Sequence, residues 1–230
     1  MMLKKFLCLL CATSLIFGPC LSVSAEVNTD FANTLTYQEI QDTLSESEQV
    51  GEDKVILLDG EEMVIRQFVS DKIVDTNSSR NSDQIRERAM LLSIAPKSST
   101  GNSEEHYYYS SSVWVRLFIR YNFSTLSSGN QAGGLIFVSC EYKIEEVGVS
   151  VWNKSLTFGQ IGPGLDGYPV QKRSTVAVTG SSYNTNSCAS WPQVVFTSSS
   201  VLGETFSFRV GRGSDYADYS SQLNVDPLNP

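Results

Sequence analysis

The single histidine of the chain, His106, opens the stretch HYYYSSSVWVRLFIRYNFS, residues 106 to 124. A Ser-His-Asp or Cys-His nucleophile needs a histidine as its general base. His106 follows a polar run and precedes three tyrosines, so nothing in the sequence holds it in a fixed geometry, and it reads as a solvated or strand-edge residue. Zinc chemistry fails on ligand count, because one histidine and two distant cysteines fall short of the usual set. The loops GLDGYP and GSDYADY offer oxygen ligands of the kind calcium takes, but neither has EF-hand spacing. Carboxylates for a glycosidase pair are present at Glu141, Glu145, Glu146 and Glu204. Residues 106 to 230 hold 8 acidic side chains, so some pair is inevitable and the signal selects nothing. GQIGPG contains a proline and precedes no helix, which makes it a turn and not a phosphate cradle. No catalytic residue, metal or cofactor is assigned on these grounds.

The strongest binding chemistry lies at Trp114, Arg116, Phe118 and Arg120, alternate positions of one run. Aromatic and guanidinium groups along a strand face stack on sugar rings or hold carboxylates, and both types are enriched at binding hot spots. The plain alternative is structural: the arginine stems lie over the aromatics while Glu141 and Glu145, across a hairpin, neutralise the heads. Which holds depends on whether anything covers that face.

The element that positions these residues is a strand. Tyr107, Tyr109, Val113, Val115, Leu117, Ile119, Tyr121 and Phe123 occupy one face, and Trp114, Arg116, Phe118, Arg120 and Asn122 the other, a period of two. Ile136, Val138, Cys140, Tyr142 and Ile144 alternate in the same way after the loop STLSSGNQAGG. Residues 113–123 and 135–144 are therefore expected to pair as an antiparallel hairpin. Further short β-rich runs follow at 147–152, 155–158, 175–179, 194–197, 205–210 and 219–225, separated by turn-rich pieces such as GQIGPGLDGYP and GSSYNTNS. Seven or eight such strands predict an antiparallel β-sandwich, with a β-barrel as the alternative.

Upstream the character changes. Residues 26 to 105 carry 17 acidic against 7 basic side chains, a net of −10, whereas residues 106 to 230 carry 8 of each. A chain with this charge has no large basic surface, which argues against nucleic acid as a partner. Leu35, Tyr37, Ile40 and Leu44 are spaced as one helix face. Val55–Leu58 and Met63–Val69 flank Asp59-Gly60, which predicts a β-hairpin over 54–69. SDQIRERAMLLSI, with Ser82 as N-cap and apolar residues at 85, 89 and 92, predicts a short helix. Ala95-Pro96 and KSSTGNSEE read as a linker.

The first 25 residues read as a secretory signal peptide, with Lys4 and Lys5, an apolar run from Phe6 to Phe17, and a Val23-Ser24-Ala25 cleavage site. The expected organisation is thus a signal peptide at 1–25, an acidic segment or pro-region at 26–95, a linker at 96–106 and a β-sandwich domain at 107–230. The acidic segment is either a lobe that docks near Arg116 and Arg120 or a solubilising arm. Export removes Cys8, Cys11 and Cys20 and leaves Cys140 and Cys188. These two could close one disulfide around a loop of about 49 residues, contributing roughly 4 kcal/mol on the loop-entropy model, or stand as separate thiols.

The stretches VGVSVWNKSLTFGQIGPG, KRSTVAVTG and SFRVGRGSDY resemble the C-terminal β-domains of small exported Firmicutes proteins whose activity is unassigned. The resemblance covers about residues 106 to 225, carries no catalytic motif, and implies an exported bacterial β-domain. Taken together, the expectation is a secreted, non-catalytic binding or surface domain whose partner is a glycan or a cell-surface protein. A glycan-directed enzyme and a membrane-active protein are the alternatives, the latter because one apolar strand face also suits a lipid-lined barrel.

Overall fold

A computed structural model describes residues 35–76, 83–99 and 111–225. The signal peptide, Ser82 and the run containing His106 lie outside the described residues. The described residues are mainly β, with two antiparallel sheets, one α-helix and no closed barrel. The barrel alternative is therefore set aside: each sheet keeps its own edge strands. The helix, α1 (Tyr37–Ser45), is followed by β1 (Glu48–Gln49), β2 (Lys54–Leu58), β3 (Glu61–Thr76), β4 (Asp83–Pro96), β5 (Val113–Thr125) and β6 (Gln131–Ile144). After these come β7 (Val149–Pro163), β8 (Pro169–Ala177), β9 (Ser182–Thr185), β10 (Val194–Val195), β11 (Val201–Arg212) and β12 (Asp215–Asn224). The larger sheet runs β1-β3-β4-β5-β6-β10, with β2 also on β3 and β9 also on β6. The smaller sheet runs β12-β11-β7-β8.

Two expectations match directly. Asp59-Gly60 turns β2 into β3, with Leu58 opposite Glu61 and Asp59 at φ +52, the left-handed backbone that Asp and Gly tolerate. β5 and β6 pair antiparallel, placing Arg116 directly opposite Glu141. The expected helix over SDQIRERAMLLSI, by contrast, is strand β4. Met90, Leu92 and Ile94 point into the space between the sheets, whereas Leu91 joins a separate cluster on the outer side. A strand buried on both faces reads as a nearly unbroken apolar run, and such a run also satisfies the i, i+4, i+7 spacing of a helix. β4 pairs with β3 from Met63↔Pro96 onward and with β5 from Asp83↔Ser124 to Ile94↔Val113. The expected boundary at 96–106 thus falls between two neighbouring strands of one sheet.

Turn-rich composition also hid strand. GQIGP belongs to β7, and only Gly164–Tyr168 forms the turn into β8, closed by Gly164 N–H to Tyr168 O. Within GSSYNTNS, residues 182–185 form β9 on the free edge of β6. Glycine and serine weaken a strand's own preference, but pairing to neighbours on both sides overrides it.

The core lies between the sheets. Val113, Val115, Leu117, Ile119 and Tyr121 of β5 meet Leu156 and Phe158 of β7 and Leu202, Phe206, Phe208 and Val210 of β11. Burial of this face explains the apolar alternation without recourse to lipid. Polar side chains also sit within the same space, Gln160 and Glu204 among them. Gln160 accepts from Leu135 N–H at 2.9 Å and donates to Pro192 O. Glu204 is 2 % exposed, and neither of its oxygens completes a hydrogen bond of good geometry. Burial pushes its carboxyl well above the ordinary range and outweighs the Phe118 backbone N–H, which acts to lower it.

An acid held protonated in the fold but ionised in the unfolded chain contributes stability that is fully present in acid, below about pH 4. That contribution is lost as the pH rises toward the folded value. In Glu204→Gln this slope should vanish, so between pH 5 and 8 the wild-type Tm should fall relative to the variant's. Calorimetric curves that stay parallel across that range would contradict the assignment.

Candidate functional site

The outer face of the larger sheet carries the four residues singled out by type, and α1 decides their fate. Thr36 caps the helix: its Oγ1 accepts from Glu39 N–H, and its own N–H donates to the Glu39 carboxylate at 2.8 Å, a reciprocal capping box. Leu35 and Ile40 then pack on Leu91 and Trp114, with Leu44 and Phe68 at the rim. Trp114 is 0 % exposed, so it anchors the helix and presents no surface to a ligand.

Arg116 lies one step along the strand, on a rung that reads Phe68, Leu91, Arg116, Glu141 across β3 to β6. Its Nη1 is 3.2 Å from Glu39 of α1 and 3.9 Å from Glu141. The two carboxyls are driven apart. Burial outweighs Arg116 and raises Glu141. Burial also works to raise Glu39, but hydrogen bonds with Thr36 and the Arg116 charge prevail and hold it below the usual range. Arg120 was expected to meet the carboxylates of β6, yet it faces Phe137 there and takes its partner from β4, with Nε 2.8 Å from Glu87. Glu145 instead accepts from the Tyr37 hydroxyl at 2.6 Å and pairs with Lys143 at 2.7 Å.

Phe118 sits between small neighbours, Ala89 on β4 and Ser139 on β6. The space they leave is a cleft of about 190 Å³ between α1 and the sheet, lined by Glu39, Asp42, Glu46, Lys72, Arg116 and Phe118 among others. Of the four expected residues, Arg116 and Phe118 therefore border a charged cleft, Arg120 is held in a cross-strand ion pair, and Trp114 is core. They do not form one open surface.

The outer face of the smaller sheet is different. Its rungs read Tyr216, Gly211, Ser150; then Asp218, Arg209, Trp152; then Ser220, Ser207, Ser155; then Gln222, Thr205, Thr157, Thr175; then Asn224, Gly203, Gly159, Arg173. Tyr216, Asp218, Ser220 and Gln222 are exposed. At one end Arg209 makes a two-pronged pair with Asp218, at 2.8 and 2.9 Å. Its guanidinium lies over the Tyr216 ring, 4.0 Å from the centroid. Trp152 meets Tyr216 edge to face, with centroids 6.2 Å apart. The indole can lie there because residue 211 is glycine: a Cβ would come within 2.6 Å of Trp152 Cη2.

A bulge shapes the next part of the face. The β7 register shifts between Ser207 and Arg209, and Asn153 adopts φ +51. Bulges bend a strand and re-aim side chains, and here a depression of about 290 Å³ opens beside Asn153, Ser207, Asp218 and Ser220. Hydroxyl pairs run across the strands at Ser207–Ser220, 3.0 Å, and Thr157–Thr175, 2.9 Å. Side-chain groups on this face are largely uncharged donors and acceptors, with the Arg209–Asp218 pair self-neutralised.

Sequence reading missed this site. SFRVGRGSDY does hold a signal: Phe208 and Val210 alternate with Arg209 and Gly211, and a turn at Gly213–Ser214 brings Tyr216 and Asp218 back opposite Gly211 and Arg209. Nothing in local spacing announces Trp152, which arrives from a strand more than fifty positions away in sequence.

The remaining expectations are quickly placed. Asp166 accepts from Tyr168 N–H at 3.0 Å and Asp215 from Asp59 N–H at 3.1 Å, so these loop acids serve turns. Among the described residues no group of three or more His, Cys, Asp or Glu could hold a metal ion. Glu146 is taken by Ser112 and Arg212. Cys140 and Cys188 are buried free thiols and not a bridge. Burial raises both, Cys188 to about 12, because a thiolate in an apolar space is unfavourable.

No family model, curated protein or solved structure matches the chain. No described helix is long and apolar enough to cross a membrane.

Two measurements check this description. Ile40→Ala should cost about 2–4 kcal/mol and shift Trp114 fluorescence toward that of a solvated indole; an unchanged Tm and spectrum would mean that α1 does not seat on Trp114. A thiol reagent should label Cys140 and Cys188 only after denaturation, without reductant; absence of two titratable thiols in denaturant would restore the bridge.

Proposed function

We propose that the protein is an exported, non-catalytic binding module that holds a glycan on the outer face of its four-stranded sheet. The observation that carries the reading is the Trp152, Tyr216, Arg209 and Asp218 arrangement. An exposed tyrosine, 54 % accessible, sits on a rigid backing of indole and guanidinium. Sugar rings present C–H faces that pack on aromatic planes, while their hydroxyls need donors and acceptors at fixed positions. The paired Arg209 and Asp218, Asn153 and the serine and threonine rows supply them. The guanidinium is held by two carboxylate contacts and a ring, so little side-chain freedom remains to be lost on binding.

The four carboxylates considered for hydrolysis support the non-catalytic side of this reading. Glu141 faces Arg116, Glu145 is held by Tyr37 and Lys143, Glu146 by Arg212, and Glu204 is sealed in the core. Export rests on the N-terminal 25 residues as read from the sequence.

The test is affinity electrophoresis of the mature protein in gels containing a panel of soluble polysaccharides. Wild type should be retarded by at least one of them, and Tyr216→Ala should lose about tenfold or more in affinity with Tm unchanged, since the side chain is exposed. Retardation that survives Tyr216→Ala would remove this face as the site.

A further inference from the structure

The same outer face ends, beyond the serine and threonine rows, in a second depression of about 200 Å³. Its floor is a glycine pair, Gly203 directly opposite Gly159. A Cβ at Gly159 would fall 2.8 Å from Lys172 O, and one at Gly203 would collide with Leu223 O and the Asn224 side chain. Gly159 leaves bare backbone on the floor, while the Asn224 side chain lies over Gly203. Thr157, Thr205, Gln222, Asn224 and Arg173 line the depression, together with the exposed side chains of Ile161 and Val201. On the rung itself Asn224 and Arg173 bracket the two glycines. At about 4.8 Å between strands, they stand roughly 14 Å apart at the backbone, with Asn224 leaning in over Gly203 and the open stretch over Gly159 beside Arg173.

Arg173 is exposed, and among the described residues no carboxylate lies within ion-pair distance of it. Arg209, at the far end, is already satisfied by Asp218. The furrow thus carries an unneutralised planar cation beside amide donors, on a face whose other charges cancel. A guanidinium of this kind complements a planar carboxylate through two parallel hydrogen bonds. Gly203 and Gly211 are eight positions apart on β11, about 26 Å at roughly 3.3 Å per residue. A ligand touching both ends is a chain of several sugar units.

We infer that the ligand is an extended acidic glycan, one sugar stacked on Tyr216 and the carboxylate of a uronic acid held by Arg173 in the glycine-floored furrow. This rests on the glycan reading of the same face. Gly159 lets the chain lie against the sheet beside Asn224, and the hydroxyl rows follow its length.

The probe is polygalacturonate against the same polymer fully methyl-esterified, which keeps the backbone and removes the charge. Wild type should bind the acid form roughly fivefold more tightly at low salt, with the difference shrinking as ionic strength rises. Arg173→Gln should abolish the difference and leave binding to the ester intact, while Tyr216→Ala should weaken both forms alike. Equal wild-type affinity for the two polymers, or a preference that persists in Arg173→Gln, overturns the carboxylate assignment and leaves glycan binding standing. Binding of both polymers that is indifferent to Tyr216→Ala overturns the glycan face itself. Longer galacturonate fragments should gain affinity over the monomer; a monomer that binds as well as the polymer overturns the extended chain.

Discussion

Twelve consecutive pairings join β4 to β5, from Asp83↔Ser124 to Ile94↔Val113, and the rest of the molecule is arranged around them. They knit the acidic first part of the chain to the serine- and aromatic-rich remainder in one sheet. Because β4 and β5 are central, both of their faces must be covered or made polar, since a strand cannot bury one face and ignore the other. The smaller sheet covers the inner face. On the outer face α1 covers the apolar upper part at Leu91 and Trp114, and the ladder Lys72, Glu87, Arg120 takes over below it with alternating charge.

That division explains why the residues that looked most like a site are mostly structural. Aromatic and arginine side chains in alternation are what a ligand surface uses, and also what a helix seat with an ion-paired margin uses. Composition does not separate the two. The deciding object is α1, whose capping box and Ile40 lie some seventy positions upstream. The excess of carboxylates in the first segment also finds its role here, since Glu39 and Glu87 neutralise Arg116 and Arg120. The partners of these arginines come from α1 and from β4, a strand of the same sheet as β5.

Among the described residues nothing covers Tyr216, Asp218, Ser220 and Gln222 of the smaller sheet, and the sheet does not need such a cover. Its inner face is apolar at Phe158, Leu202, Phe206, Phe208 and Val210, and its outer face carries mainly serine, threonine, glycine and amide groups, with the Trp152–Tyr216 cluster, the Arg209–Asp218 pair and Arg173. An antiparallel sheet with one dry and one wet face is stable as it stands. Its wet face is free to carry function, and the bulge at Asn153 and the glycines at 159, 203 and 211 give it relief. Glu204 stands apart on the dry face as a carboxyl whose oxygens complete no hydrogen bond of good geometry, a place where local chemistry and burial disagree.

Much of the architecture was legible in the chain. Period-two alternation over 113–123 and 135–144, the Asp59-Gly60 turn and the spacing of Leu35, Ile40 and Leu44 all act within a few residues, so they identify a hairpin, a second hairpin and a short helix before any tertiary contact exists. The β class and its two-sheet form follow from the number of such runs. What the sequence left open depends on partners far away in the chain. β4 satisfies a helical spacing and is a strand because β3 and β5 pair with it. Trp114 satisfies a binding pattern and is core because α1 reaches it. Trp152, Arg209, Tyr216 and Arg173 share one face only because the register of β12, β11, β7 and β8 aligns them. Local spacing determines the elements and which way their side chains alternate; which face ends up dry, covered or open is decided by long-range pairing, since burial is a property of neighbours.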